Sequence, residues 1–378
     1  MNFVFYYRVE SHATRKVDIS YNNYMYNGGF SGTEGPMIET AHSLANDGHT
    51  VYFCGCSDEP DECNGNLIYS PNITEEIMSS ADVFIPFFRI LQDINDYWSP
   101  KHPYESEFKD VWLMMGSLKK SAKVLLWVQI HLREKLMSMM DGICRSIGVE
   151  LIFIYVSNYI KNFQEKKFRE IGYDYNKNKS AVIYNSINKE IFSKPISVSS
   201  EKKIGHHAFL AHPARGQQHA SAIAKMVGAK LHRQNYVLSE SVGKEGVKEI
   251  YDKSDYFVYP LTRPNGVVHH DTYACVVHEA MACGAIVITW DVACMRDVYG
   301  NNIILMPPPE NRHYNPWEEA SWNPSMATFA SMRTFANKIK LLNNNKEQKE
   351  EIREKARRWA LENTFEKGIP TFNSLVGI

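Results

Sequence analysis

The segment Asp271-Thr-Tyr-Ala-Cys-Val-Val-His-Glu-Ala-Met-Ala-Cys-Gly284 contains two carboxylates, Asp271 and Glu279, at a predicted loop-to-helix transition. It follows a strand that we expect to end near Pro260 and precedes one that we expect to start at Ala285. In a continuous helix the two carboxylates would lie about 12 Å apart. Backbone N–H groups at such a helix start bind phosphate readily. Here these groups belong to Ala274, Cys275 and Val276.

Two interpretations of this segment are open. The separation fits one carboxylate at a sugar and the other at a ribose, across a pyrophosphate held at the helix start. The alternative is an amphipathic helix on which Glu279 faces solvent, because carboxylates are common near helix starts.

Strand-like and helix-like stretches alternate on both sides of this segment. Strands are predicted at Phe3–Tyr7, Thr50–Cys54, Val83–Phe87, Val124–Val128, Leu151–Val156, Ala181–Tyr184, Ala208–Ala211, Tyr256–Tyr259, Ile286–Thr289 and Ile303–Met306. Stretches with apolar residues at helical spacing separate many of them. Continuous apolar strands between amphipathic helices indicate parallel sheets covered by helices on both faces.

Length and a composition shift predict more than one domain. A single hydrophobic core stops growing near ~250–300 residues, and this chain has 378. Residues 193–203 are polar and rich in Pro, Ser and Lys, which is typical of a linker. We therefore predict two Rossmann-like doubly wound domains, residues 1–192 and 204–345, facing across a cleft. Charged helices in residues 346–378 would pack back toward the first domain.

Composition excludes several classes of protein. Lys and Arg number 42 against 43 Asp and Glu, so no basic field exists for nucleic acid. The sequence contains no run of ~18 apolar residues that would span a membrane. The stretch MNFVFYYRVES does not have the pattern of a secretory signal. Seven cysteines, an odd number, suit free thiols in a reducing compartment, so we expect a cytoplasmic protein.

A second candidate site follows the strand predicted at Ala208–Ala211. Arg215 lies in the turn between this strand and the next helix, at the carboxyl end of the sheet, where open α/β sheets bind ligands. A guanidinium there can hold a diphosphate bidentately and stabilise charge as the phosphate leaves. Gly216 would let the backbone approach closely. A solvent-exposed surface arginine is the alternative.

Two further candidates lie in the first half. The Gly-rich loop Gly28–Gly35 leads into a predicted helix and could hold an anion or a sugar, although it is not a GxGxxG motif and a plain turn is equally consistent. His131 directly follows the strand predicted at Val124–Val128, and a structural histidine is its alternative. All four candidates lie at carboxyl ends of predicted strands, where open α/β sheets bind ligands. This shared position favours ligand binding over an unrelated structural role for each residue.

From about residue 28 onward the chain resembles family 4 glycosyltransferases of the GT-B fold. Asp271–Gly284 resembles the family's Glu-x7-Glu motif, although Asp271 replaces the usual Glu and Ala274 the usual Gly. Ala211–Gly216 resembles the family's basic phosphate-binding stretch. The stretch Gly32-Thr33-Glu34 resembles its N-terminal Gly-Gly-x-Glu region.

The resemblance implies roles for these residues. Asp271 would hold hydroxyls of the donor sugar, and Glu279 would accept hydrogen bonds from the nucleotide ribose. Arg215 would neutralise the diphosphate, and His131 would lie beside the sugar, which makes Asp271 and His131 the catalytic candidates. The remaining donor-binding candidates are Gly32, Thr33, Ala211, Gly216, Tyr273, Ala274, Cys275 and Val276.

The function that the resemblance implies is transfer of a sugar, with retention, from a UDP- or GDP-sugar to a glycan or other hydroxyl acceptor, which a protein or lipid could carry. The acceptor would bind the N-terminal domain, and the nucleotide sugar would bind the domain formed by residues 204–345. We expect no cofactor, no metal and no nucleic-acid partner. The expected location is the cytoplasm, which would be that of a host cell if a virus encodes the chain. A GT-B-type sugar-nucleotide epimerase and a non-catalytic nucleotide-sugar or glycan-binding protein are the alternatives.

Two sequence patterns could instead indicate a metal. Cys54-x-Cys-x6-Cys63 has metal-like spacing but lacks a local fourth ligand, which favours free thiols. The histidines are dense around the predicted phosphate site, where polar lining is the commoner role. They are His206, His207, His212, His219, His269 and His270.

Overall fold

The computed structural model describes residues 1–7, 24, 34–55, 62–63, 66–86, 113–129, 134–194, 203–206, 215–233, 243–262, 268, 271–309 and 327–378. Contacts group the chain into two compact units. Of the described residues, those up to Ser186 together with Phe365–Ile378 belong to the first unit, and those in Ile187–Thr364 belong to the second.

The first unit contains an eight-stranded sheet. Its strands are β1 (Asn2–Tyr6), β2 (Thr50–Cys54), β3 (Glu62–Cys63), β4 (Leu67–Ser70), β5 (Val83–Pro86), β6 (Lys123–Val128), β7 (Glu150–Tyr155) and β8 (Lys179–Val182). They lie in the order β3-β4-β2-β1-β5-β6-β7-β8, and every described pair is parallel except β3 with β4. The helices are α1 (Glu34–Asn46), α2 (Glu75–Ser80), α3 (Glu134–Ile147) and α4 (Asn158–Glu170).

The core of this sheet is aliphatic and aromatic. Phe3, Val4 and Phe5 of β1 are buried, and the Phe5 ring stacks on Phe53 of β2 at 5.7 Å. Strands this apolar need cover on both faces, which is why helices alternate with them.

The second unit contains a five-stranded parallel sheet in the order β10-β9-β11-β12-β13. Its strands are β9 (Lys203–His206), β10 (Leu231–Arg233), β11 (Ser254–Tyr259), β12 (Ile286–Trp290) and β13 (Ile304–Met306). The helices in residues 187–364 are α5 (Lys189–Phe192), α6 (Gln217–Val227), α7 (Lys244–Asp252), α8 (Cys275–Ala282), α9 (Phe329–Asn343) and α10 (Lys346–Glu362). Every residue of the central strands β11 and β12 is buried.

Helix α10 is fastened to this unit by basic side chains. Arg353 Nε donates to the Gly284 carbonyl at 2.9 Å, and Arg357 donates to the Ala282 carbonyl. Both carbonyls belong to the carboxyl-terminal end of α8, where cations are electrostatically favoured. Lys349 and Arg353 also pair with Asp255 at the start of β11. The end of α8 is therefore held by α10.

The predicted α/β class with two parallel sheets is confirmed, and individual element positions differ. Strand β9 lies at Lys203–His206, whereas the strand expected at 208–211 falls outside the described residues. Helix α7 was not predicted, whereas α11 (Phe365–Val376) lies within residues 346–378, where helices were expected. Helix α11 contains Gly368 and Pro370, which normally interrupt a helix, yet its Phe365, Phe372 and Val376 are buried. Burial of that apolar face outweighs the local preference.

Candidate functional site

The Asp271 carboxylate is held through both of its oxygens. Arg215 forms an ion pair with Oδ1, and the Tyr259 hydroxyl donates a hydrogen bond to Oδ2 at 2.7 Å. Tyr259 ends strand β11 and Arg215 precedes helix α6, so two elements converge on the loop that leads into α8. Asp271 is only 9% exposed, which makes such partners necessary.

Charge states follow from this burial. Burial disfavours the charge on Arg215, but the adjacent Asp271 carboxylate outweighs it and raises the pKa of the guanidinium above its ordinary value. Burial also raises the pKa of the Tyr259 phenol well above its ordinary value. At neutral pH Arg215 is therefore a cation and Tyr259 a proton donor, both directed at one carboxylate.

Gly216 allows the start of α6 to lie against the turn after β11. Its φ is +82°, in the left-handed region, and a Cβ added there would lie 2.5 Å from Pro260 Cγ and 3.2 Å from Thr262 N. A side chain is excluded on both grounds. This close approach brings Arg215 to the end of β11.

Three hydrogen bonds fix the loop that precedes α8. The Cys294 amide donates to the Asp271 carbonyl at 3.5 Å, and the Tyr299 hydroxyl donates to the Ala274 carbonyl at 2.7 Å. The third joins the Tyr273 hydroxyl to His278 Nδ1 at 2.7 Å. Ala274 is the N-cap of α8, and the N–H groups of the first turn, those of Cys275 and Val276, point out of the helix start, a disposition that suits an anion.

His278, in the middle of α8, links the loop that precedes this helix to the end of α10. Its Nε2 lies 2.8 Å from the Ala360 carbonyl, which can only accept, so Nε2 carries the proton and Nδ1 accepts from Tyr273. The Trp359 ring lies 5.4 Å from the imidazole. Burial lowers the pKa of His278 to about 4, against the opposing effect of the Ala360 hydrogen bond. The imidazole is neutral at pH 7.

Glu279 is buried, so the alternative in which it faces solvent is wrong. Its side chain is 4% exposed and pairs through Oε1 with Lys244 at the start of α7. The Tyr251 hydroxyl, later in the same helix, lies 3.4 Å from Oε2. A buried carboxylate with cationic and hydroxyl donors is an acceptor-rich binding group.

The structure places eight of the candidate residues together in the second unit. They are Arg215, Gly216, Asp271, Tyr273, Ala274, Cys275, Val276 and Glu279. Gly32, Thr33, Ala211 and His131 lie outside the described residues, and the roles given to all twelve stay predictions.

Sequence reasoning missed five side chains that contact these groups: Tyr259, Lys244, Tyr251, His278 and Tyr299. Tyr259 was counted as an apolar strand residue, and Lys244 and Tyr251 lie in the unpredicted α7. The position of His278 next to Glu279 was the one available signal.

Neither metal pattern gains support from the described side chains. Among them, no group of three or more His, Cys, Asp or Glu residues is arranged to hold a metal ion. Cys54 is a buried free thiol, and His219 is buried. Cys56, His207, His212, His269 and His270 lie outside the described part of the chain.

Residues 206–314 match the model of the family Glycosyl transferases group 1. This segment contains Arg215, Asp271 and Glu279. No curated protein is similar enough in sequence to match the chain. Of the helices that the structure describes, none combines the length and apolarity needed to cross a membrane.

Solved structures match along nearly the whole chain. Sucrose-phosphate synthase from Thermosynechococcus elongatus aligns with a TM-score of 0.59 and 10% identity, covering 100% of this chain and 99% of that one. AviGT4, a glycosyltransferase involved in avilamycin A biosynthesis, aligns with a TM-score of 0.57 and 12% identity, covering 100% of this chain and 98% of that one. Anabaena HepE in complex with UDP and glucose aligns with a TM-score of 0.55 and 11% identity, covering 99% of each chain. At these identities the likeness establishes the GT-B fold.

The hydrogen bonding of His278 generates a pH prediction. The native pKa of about 4 lies below the ordinary histidine value of 6.5, so the unfolded state takes up the proton first and native stability falls as pH drops from 6.5 toward 4. Lowering the pH from 7.0 to 5.5 should therefore reduce the free energy of unfolding by about 1 kcal/mol.

The measurement compares urea unfolding of the wild type with His278→Leu at both pH values. The variant should be less stable at pH 7.0, because Tyr273 and Ala360 lose their partner, and the difference should shrink by about 1 kcal/mol at pH 5.5. A difference that stays constant would show that His278 is not buried as a neutral imidazole.

Proposed function

We propose that this chain, whose residues 206–314 match the family model Glycosyl transferases group 1, moves a sugar from a nucleotide-sugar donor to a hydroxyl group of an acceptor. One observation carries the proposal: within the matched segment, an arginine and two buried carboxylates surround the start of α8. HepE, which has the same fold, was solved with UDP and glucose bound. In this proposal the donor is a UDP- or GDP-sugar.

The donor diphosphate would lie at the start of α8. The first-turn N–H groups of Cys275 and Val276 and the Arg215 guanidinium offer donors and positive charge to it. Negative charge grows on the diphosphate as the glycosidic bond breaks, so these groups stabilise the leaving group more in the transition state than in the ground state. Arg215 then supplies the positive charge without a divalent ion, and no cofactor takes part.

Asp271 and Glu279 would act on opposite sides of that diphosphate. Asp271 would accept hydrogen bonds from donor-sugar hydroxyls, and its negative charge would favour the positive charge that develops at the anomeric carbon. Glu279 would accept from the nucleotide ribose. We propose retention of anomeric configuration through a front-face reaction in which the leaving phosphate takes the proton of the acceptor hydroxyl, which is what the resemblance to family 4 implies.

The acceptor in this proposal is a glycan, free or carried on a protein or lipid, and it binds the first unit. The protein would work in the cytoplasm without a nucleic-acid partner.

Turnover of donors is the direct test. A thermal-shift panel of UDP-, GDP- and ADP-sugars first identifies the donor, and hydrolysis of that donor without acceptor is then followed in the presence of EDTA. We expect slow release of nucleoside diphosphate that EDTA does not abolish, and a sugar released with its original anomeric configuration.

Other results would redirect the proposal. A new sugar epimer without nucleotide release indicates an epimerase, and donor binding without any turnover indicates a non-catalytic binding protein. Complete loss of donor hydrolysis in EDTA, with activity restored by Mn²⁺ or Mg²⁺, would contradict metal independence.

Arg215→Ala should weaken binding of the nucleoside diphosphate by about 1.5–3 kcal/mol, because a charge-assisted bidentate contact is lost. Calorimetry with the identified nucleoside diphosphate measures this. Arg296→Ala is the matched control, since Arg296 pairs with Asp291 at the surface with its side chain 70% exposed. Unchanged affinity in Arg215→Ala with a normal melting curve would place the diphosphate elsewhere.

Asp271→Asn and Glu279→Gln should have opposite kinetic signatures. Asp271→Asn keeps the shape but removes the charge near the anomeric carbon, so kcat should fall strongly while nucleoside diphosphate affinity changes little. Glu279→Gln should weaken the nucleoside diphosphate directly, because a ribose diol prefers a charged acceptor. Calorimetry beside steady-state turnover measures both, and the reverse pattern would exchange the two roles.

A further inference from the structure

Glu279 is the one carboxylate of the proposed site that takes both of its partners from a single helix. Lys244 and Tyr251 are seven residues apart in α7, which is two helical turns, so both side chains leave the same face. Lys244 pairs with Oε1, and the Tyr251 hydroxyl lies 3.4 Å from Oε2. One face of α7 thus engages both oxygens of Glu279.

The position of Lys244 is electrostatically unfavourable for a residue that only forms a helix. It is the first residue of α7, after the Gly243 cap, which makes no side-chain hydrogen bond. A cation at a helix N-terminus opposes the helix dipole. Its side chain is only 18% exposed, so much of its hydration is lost as well. Glu279 is the carboxylate that offsets both effects.

Two held oxygens leave the carboxylate with a fixed orientation and spare capacity. An ionised carboxylate has about four lone-pair sites, of which Lys244 and Tyr251 occupy one on each oxygen. A carboxylate that cannot rotate presents the remaining sites in constant directions. Two adjacent hydroxyl donors, such as those of a ribose, are the ligand that matches such a pair of acceptors.

We infer that Lys244 is a positioning residue for nucleotide recognition: by holding Oε1 it orients Glu279 so that the carboxylate accepts from the 2′- and 3′-hydroxyls of the donor ribose. The inference rests on the proposed function, because it requires a nucleotide at this site. It assigns Lys244 a part in distinguishing ribose from deoxyribose. A purely structural ion pair would stabilise the fold without any part in that distinction.

Calorimetry with UDP, GDP and ADP, each beside its 2′-deoxy counterpart, tests this on the full chain. The wild type should bind the preferred ribonucleotide about 10- to 100-fold more tightly than its deoxy form, the loss expected for one hydrogen bond to a charged acceptor. In Lys244→Met the ribonucleotide should lose most of this advantage while deoxynucleotide affinity changes little. Lys244→Arg should restore much of the ratio.

Lys248→Met is the matched control. Lys248 lies one turn along α7 and forms a buried ion pair with Asp252. Its loss should lower the melting temperature but leave the ribose-to-deoxyribose ratio at the wild-type value. Tyr251→Phe provides a second probe that removes only a hydroxyl, and it should reduce the ratio partly even if Lys244→Met does not fold.

The outcomes separate the two proposals. If Lys244→Met and Tyr251→Phe keep the wild-type ratio, the Lys244–Glu279 pair is structural and the inference is wrong while the proposed function stands. If the wild type binds none of the three nucleoside diphosphates, the proposed function fails and the inference fails with it. A wild type that binds but shows no preference for ribose refutes the inference together with the ribose role proposed for Glu279, while the proposed sugar transfer stands.

Discussion

A buried carboxylate at the start of α8 is the constraint on which the second unit's candidate site depends. Asp271 is 9% exposed, and an ionised carboxylate so far from water is stable only with charged or hydrogen-bonding partners. Arg215 and Tyr259 provide them from two different elements. Gly216, which has no side chain, is required for those elements to meet. The same contacts that make the burial tolerable also place a cation beside the predicted phosphate position.

Asp271 and Glu279 are both buried carboxylates that need partners, and they are paired in different ways. Asp271 is paired with an arginine that a phosphate could also engage, so its partner is itself part of the proposed ligand site. Glu279 is paired with Lys244 and Tyr251 of α7, behind the ribose position in the proposal. Breaking either pair by removing one partner leaves a buried charge, which is more costly than losing the pair as a whole. Both carboxylates therefore depend on residues far from them in sequence.

The sequence was sufficient for the fold class and for placing the segment Asp271–Gly284 between two strands, because apolar strand alternation and the spacing of Asp271 and Glu279 are local patterns. It was not sufficient for α7, whose nine residues include Gly246 and few apolar side chains, or for the bounds of α11, which contains Pro370. Those helices form because their faces are buried, which depends on the rest of the unit.

The partners of the site residues were beyond prediction for a related reason. Lys244 and Glu279 are 35 positions apart, and Arg215 and Asp271 are 56 apart. Their pairing depends on which strands are neighbours and on where each turn ends, and neither can be read from the residues themselves. Asp271 is also one methylene shorter than the Glu usual in the resembling family, and the Tyr259 hydroxyl, from a residue that looked like core, contacts it at 2.7 Å.

Helix α8 is fastened along its whole length, and this matters for anion binding at its start. Its eight residues rise only about 12 Å. Arg353 and Arg357 of α10 bond to the carbonyls at its far end, and His278 connects its middle to Ala360. Tyr299 holds the Ala274 carbonyl at its start. A helix start that cannot shift presents its N–H groups in fixed directions, so in the proposed reaction the charge that develops there would be stabilised without reorganisation of the protein. The buried polar network of aromatic and basic side chains around α8 is in this sense part of the site, although most of its members would never touch a ligand.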